Sequence, residues 1–108
     1  MFKKRQEIEG IVVRYKQELR RLGIKVKKVI LYGSYARGNA KEYSDIDLIV
    51  ISEDFRGRNL RERLEILGLA AGRVFEPIEA LGYTSKEIQS KDRETFVGGI
   101  LNSASVAV

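Results

Sequence analysis

The run Asp45-Ile46-Asp47-Leu48-Ile49-Val50-Ile51 constrains this chain more than any other segment. It opens with acid and apolar residues in alternation and ends as an unbroken apolar stretch, the pattern of a central strand covered on both faces. Such a strand needs helices around its sheet. The acids at its head are the unusual part. Residues two apart on a strand share a face with Cα atoms about 6.5 Å apart, so Asp45 and Asp47 repel each other unless a cation neutralises them. Mg²⁺, which binds through one or two carboxylates together with substrate phosphates, suits that arrangement. The alternative is that both acids cap a neighbouring helix or pair with Arg37 and Lys41.

The flanking segments supply the helices. Ile8, Ile11, Val12, Tyr15, Leu19 and Leu22 recur at three- and four-residue intervals, predicting an amphipathic helix over about 3–22 with Gly23 as its stop. Val26, Val29, Ile30 and Leu31 then read as a strand delivering the chain to Gly33. Ser34 to Gly38 reads as a short helix capped by Ser34, and Asn39 to Ser44 as a polar loop. Asn59 with Glu62 is a capping signature for a helix carrying Leu60, Leu64, Leu67, Ala70, Ala71 and Val74. Ile78 to Tyr83 follows Pro77 as a third strand, and Thr84 with Glu87 opens another helix toward Lys91. A last helix over Glu94 to Ser103 and a final strand over Ser105 to Val108 complete the reading: an α+β domain with a mixed sheet of three to four strands flanked by helices.

At 108 residues the whole of 1–108 is expected to be one domain. With no apolar run of membrane-spanning length and no signal-peptide core, the expected location is cytoplasmic, with no membrane partner. Histidine and cysteine are both absent, which removes imidazole and thiolate chemistry and leaves carboxylates with hard cations as the default. The net charge is +5, and ten of the twenty Lys and Arg residues lie between Lys3 and Lys28. That basic end reads as a solvated helix face in preference to a nucleic-acid patch, because it has few aromatics to stack on bases.

Gly33-Ser34 is the other candidate for chemistry. A Gly-Ser turn opening a helix offers backbone N–H donors and a hydroxyl to phosphate, and glycine permits close approach. Taken alone, the pair reads far more readily as a plain strand-to-helix turn with a serine cap. Its position, eleven residues before Asp45, sets a phosphate turn and a carboxylate pair at adjacent strand ends.

Gly33-Ser34-Tyr35-Ala36-Arg37-Gly38 followed by Ser44-Asp45-Ile46-Asp47-Leu48-Ile49-Val50 resembles the signature of the nucleotidyltransferase superfamily related to DNA polymerase beta, and most of all its minimal nucleotidyltransferases. The resemblance implies the nucleotidyltransferase fold and in-line transfer of a nucleoside monophosphate, AMP from ATP, to an acceptor hydroxyl. It implies that Asp45 and Asp47 bind two Mg²⁺ ions and that a third carboxylate falls on Glu79, with these three as catalytic and metal residues. Glu76 faces the other way from Glu79 on a strand of period two. Many relatives carry aspartate at this third position, so Glu79 departs from the commoner pattern by one methylene. Gly33 and Ser34 would hold the triphosphate, and Arg37 would either join them or brace the following loop. Tyr35, Tyr43 and Tyr83 could stack on a base, with packing the favoured reading. Minimal members commonly pair with a small helical HEPN-type toxin, acting as antitoxin by adenylylating it. A weakly active binding module of the same fold, or a transferase acting on nucleic acid, are the alternatives.

Overall fold

The computed structural model describes residues 3–90, 98–100 and 105–108. Helix α1 spans Arg5–Arg21 and buries Ile8, Ile11, Val12, Tyr15 and Leu19, the stripe its periodicity predicts. It ends in a Schellman turn: Gly23 takes φ 92, its N–H donates to Arg20 O, and Ile24 N–H donates back to Leu19 O at 2.9 Å. Ile24 and Leu19 are both fully buried, which is the apolar contact that accompanies this motif.

Strand β1 (Lys28–Tyr32) starts later than Val26, which packs at the edge of the core outside the strand. A single helical turn, α2 (Ser34–Arg37), follows. Strand β2 is Ile46–Ile51, so Asp45 stands one residue ahead of the strand that was expected to include it. Helix α3 (Leu60–Val74) opens with the predicted reciprocal cap, Asn59 accepting from Glu62 N–H at 2.9 Å and Glu62 accepting from Asn59 N–H at 2.9 Å. Strand β3 (Ile78–Tyr83) leads into α4 (Ser85–Ser90), where Thr84 and Glu87 cap each other as the sequence suggests. Residues 98–100 are helical; the remainder of the helix expected over Glu94 to Ser103 lies outside the described residues. Strand β4 (Val106–Ala107) confirms the final strand.

The sheet runs β3-β2-β1-β4, with β1 antiparallel to β2 and β4, and β2 parallel to β3. It is therefore the mixed, helix-flanked α+β sheet expected. One face carries Val29, Leu31, Ile46, Leu48 and Val50 against α1 and α3. Tyr15 ties these two helices together, its buried hydroxyl donating to Leu67 O at 2.9 Å. The opposite face carries Ile30, Ile49 and Ile51 beneath Ile100, with Tyr32 and Tyr83 at its margins. Ser52 clamps the entry to β1 to the exit of β2 by donating to Lys25 O at 2.6 Å and accepting from Asp54 N–H. Among the described residues no helix is long and apolar enough to cross a membrane.

Candidate active site

The register of the sheet aligns Tyr32 with Asp47 across the β1/β2 pair and Asp47 with Glu79 across the β2/β3 pair. These three form one row across neighbouring strands spaced about 4.8 Å apart. They project from the face opposite α1 and α3, because their sequence neighbours Leu31, Leu48 and Ala80 pack on the helical side. Asp47 is half-buried, whereas Asp45 and Glu79 are exposed.

Gly33 explains how the first turn reaches this row. It adopts φ 74 and ψ −152, a conformation open to glycine and strained for L residues. A Cβ placed on it would overlap Asp47 Oδ2 and stand 3.0 Å from Asp47 Cγ. The backbone of the turn thus lies directly on the carboxylate. Gly33, and not Ser34 as the sequence suggested, is the N-cap of α2; Ser34 is its first helical residue, and no side chain caps the turn. The reason is conformational: the reversal from β1 into α2 needs the positive φ that only Gly33 supplies. Gly38 closes the turn in the left-handed region, as expected. Gly33→Ala should therefore cost both fold and site, about 2 kcal/mol from backbone strain and overlap, with a matching fall in thermal midpoint by circular dichroism.

Electrostatics couples these groups. Asp47 is held above its ordinary carboxylate pKa, first by burial, then by the negative charges of Glu79 and Asp45, with Arg37 pulling the other way. Arg37 is thus close enough to be felt at Asp47 although it is exposed. Tyr32 is pushed up to about 12 by burial and by Asp47 and Glu79, so it stays a neutral hydrogen-bond donor. Nothing in the sequence singled out Tyr32. An aromatic at a strand's end reads as core, and its place opposite Asp47 appears only with the register.

Glu76 takes no part in the row. Lys3 and Arg14 hold its carboxylate at 3.5 and 3.4 Å, which leaves Glu79 as the β3 acid facing Asp47. Of the other tyrosines, Tyr35 accepts a hydrogen bond from Lys3 N–H at 3.4 Å, Tyr43 is 90% exposed on the loop, and Tyr83 packs against the Ile30, Ile49 and Ile51 cluster.

Among the described residues, no three His, Cys, Asp or Glu side chains converge as a ready-made metal cage. The donor set still fits a hard cation. Asp47 is penalised for its charge by its own burial and by Glu79 and Asp45, and Mg²⁺ characteristically takes one or two carboxylates and completes its shell with water and substrate phosphate.

The model of the nucleotidyltransferase domain family matches residues 12–95, a span that holds every candidate site residue. A Thermococcus cleftensis protein named protein adenylyltransferase MntA is 42% identical over 77 residues, 66% of this chain and 76% of its own. A Methanocaldococcus jannaschii relative assigned as a protein adenylyltransferase is 50% identical over 44 residues, covering 41% of this chain and 50% of that protein. Among solved structures, a Sulfolobus solfataricus chain assigned as a nucleotidyltransferase superposes with a TM-score of 0.55 at 18% identity, over 99% of this chain and 89% of that one. The structure of a toxin-antitoxin with AMP-PNP superposes with a TM-score of 0.52 at 23% identity, over 78% of this chain and 60% of that one. At these identities the structural likeness is one of fold.

Proposed function

Because the chain belongs to the nucleotidyltransferase domain family, we propose that it transfers AMP from ATP to a hydroxyl of a partner protein. The observation that carries this reading is the contact of Gly33 with Asp47, itself aligned with Glu79: the turn suited to a triphosphate abuts the carboxylates suited to its cation. Asp45, Asp47 and Glu79 would hold Mg²⁺, which when bound neutralises phosphate charge and stabilises the entering and leaving oxygens.

The chain's own residues do the rest. The bare backbone at Gly33 admits the triphosphate tail, and the Ser34 hydroxyl and Arg37 guanidinium orient it. Glu79 lies on the far side of Asp47 from Gly33, the entering side of an in-line displacement, and takes the proton of the acceptor hydroxyl. The acceptor oxygen bonds to the α-phosphorus as the bond to the bridging oxygen breaks, and pyrophosphate leaves.

The acceptor we propose is a small helical HEPN-type toxin, with this chain as its antitoxin. The protein adenylyltransferase name of the Thermococcus relative supports a protein as acceptor, and the toxin partner is what the resemblance to minimal nucleotidyltransferases implies. The test is incubation with the protein encoded beside this gene, α-labelled ATP and Mg²⁺. Label should enter the partner, γ-label should not, and EDTA should stop the transfer. Absence of transfer to any co-purifying protein would sink the reading, and neutralisation of the partner without transfer would mark a binding module instead.

A further inference from the structure

Strand β3 is an outer strand of the sheet formed by the described residues. Its register pairs Ile46 with Ile78 and Val50 with Gly82, while Ile46 N–H donates to Pro77 O at 2.8 Å and Ser52 N–H to Tyr83 O at 2.9 Å. In a parallel pair this means that odd-numbered residues of β3 bond to β2 and even-numbered ones turn their N–H and C=O outward. Two of these outward groups are satisfied locally: Ile78 N–H donates to Glu76 O at 2.8 Å, and Gly82 O accepts from Arg63 at 3.2 Å. Ala80, between them, has neither its N–H nor its C=O bonded among the described residues.

This free stretch is not a bare edge. A hollow of about 430 Å³ runs along it, with Leu64, Leu67 and Gly68 of α3 on one side and Tyr32, Glu79 and Leu81 on the other. Leu64 is 44% exposed there. Unpaired strand edges invite another strand, and proteins ordinarily blunt them with charge or cover. Here the unpaired segment lies along a largely apolar hollow that is also lined by Glu79.

We infer that an extended segment of the acceptor polypeptide adds to the β3 edge at Ala80 and lays its hydroxyl-bearing side chain in this hollow beside Glu79. The inference rests on the transferase reading and specifies how its acceptor is recognised. Backbone pairing supplies register, and alternate side chains supply selectivity. A hydroxyl side chain beside Glu79 puts the residue two positions along beside Leu81, so an apolar residue is favoured there. The hydroxyl oxygen then bonds to the α-phosphorus of the nucleoside triphosphate, its proton passes to Glu79, and pyrophosphate departs.

The test uses the full chain, α-labelled ATP with Mg²⁺, and an array of synthetic peptides of about ten residues, each with one hydroxyl, long enough to pair along one strand. Ala80→Pro removes the outward N–H while sparing the ladder to β2; kcat/KM for labelled peptides should fall about fivefold, the worth of one hydrogen bond. Gly68→Trp fills the hollow from α3, where an added Cβ meets nothing within 4 Å, so the fold should persist; peptide labelling should fall by more than about tenfold from lost positioning. ATP affinity by calorimetry should be unchanged in both. Proline two residues from the hydroxyl of a good peptide should abolish its labelling. Wild-type labelling by Gly68→Trp, or indifference to the proline scan, would overturn the edge inference. So would label entering an oligonucleotide and no peptide, or no labelled peptide from a wild type that binds ATP. A wild type that fails to bind ATP with Mg²⁺ would overturn the transferase reading as well.

Discussion

Asp47→Asn is expected to lower nucleotidyl transfer about a thousandfold or more while making the metal-free protein more stable. The loss follows from removing a carboxylate at the centre of the proposed site, since charge stabilisation worth several kcal/mol translates at tenfold per 1.36 kcal/mol. The gain follows from the same geometry. Asp47 is half-buried between Gly33, Glu79 and Asp45, and its raised pKa says that folding disfavours its charge. The neutral carboxyl is thus the form the fold prefers: the penalty is absent below the unfolded value of 3.8 and fully present above the raised folded value. After allowing for solvent screening, relief should be about 1 kcal/mol, a rise of roughly 4–8 °C in thermal midpoint. Glu53 and Glu87 shift the opposite way and lose stabilisation on acidification, so the readout is the wild-type minus Asp47→Asn difference in EDTA. It should shrink as the pH falls through the titration of Asp47. A variant that loses activity and stability together would show that Asp47 is structural.

Arg63→Ala should cost the fold far more than an ordinary surface change, which stays within about 0.5 kcal/mol. The side chain is only 12% exposed. It donates to Arg58 O, Phe55 O and Gly82 O at 2.9, 2.9 and 3.2 Å, and both oxygens of Glu87 accept from it at 2.7 and 3.0 Å. The cation also stands 5.6 Å from the centre of the Phe55 ring, and Phe55 fills the space that a side chain at Gly82 would take. One side chain thereby joins α3, the Glu53–Phe55 turn, the end of β3 and the start of α4. Truncation leaves several carbonyls without a donor and should cost about 3 kcal/mol, a fall of roughly 10–20 °C by differential scanning calorimetry. Arg63→Lys should recover little, because a point charge cannot reproduce the forked pattern. A fall of only a degree or two would refute the hub assignment.

Much of this architecture is legible in residue order, and the exceptions share a cause. Asn59 with Glu62 and Thr84 with Glu87 announce their helices because capping is a local contract between residues three apart. Gly23 announces the end of α1 for the same reason. Ser34 misleads because serine is the commoner cap, and nothing local reveals that Gly33 must lie against Asp47, fourteen positions further along. Arg63 is invisible because its partners sit five to twenty-four residues away. Gly33, Ser34, Asp45 and Asp47 are candidates by type and spacing, and Glu79 and Arg37 by the family resemblance, whereas Tyr32 needs the strand pairing before it can be set beside them.

That pairing has a consequence for how the protein is quality-controlled. Tyr32, Asp47 and Glu79 meet only because three strands are each in one register, and a slip of one residue turns every side chain to the other face. A slipped β2 would offer Ile46 or Leu48 in place of Asp47, and a slipped β3 would offer Ile78 or Ala80 in place of Glu79. Helical content would barely notice such an error. On the proposed function, turnover per molecule is therefore a census of correctly assembled sheets, and a refolded sample judged by its helix signal alone would overcount the molecules able to work.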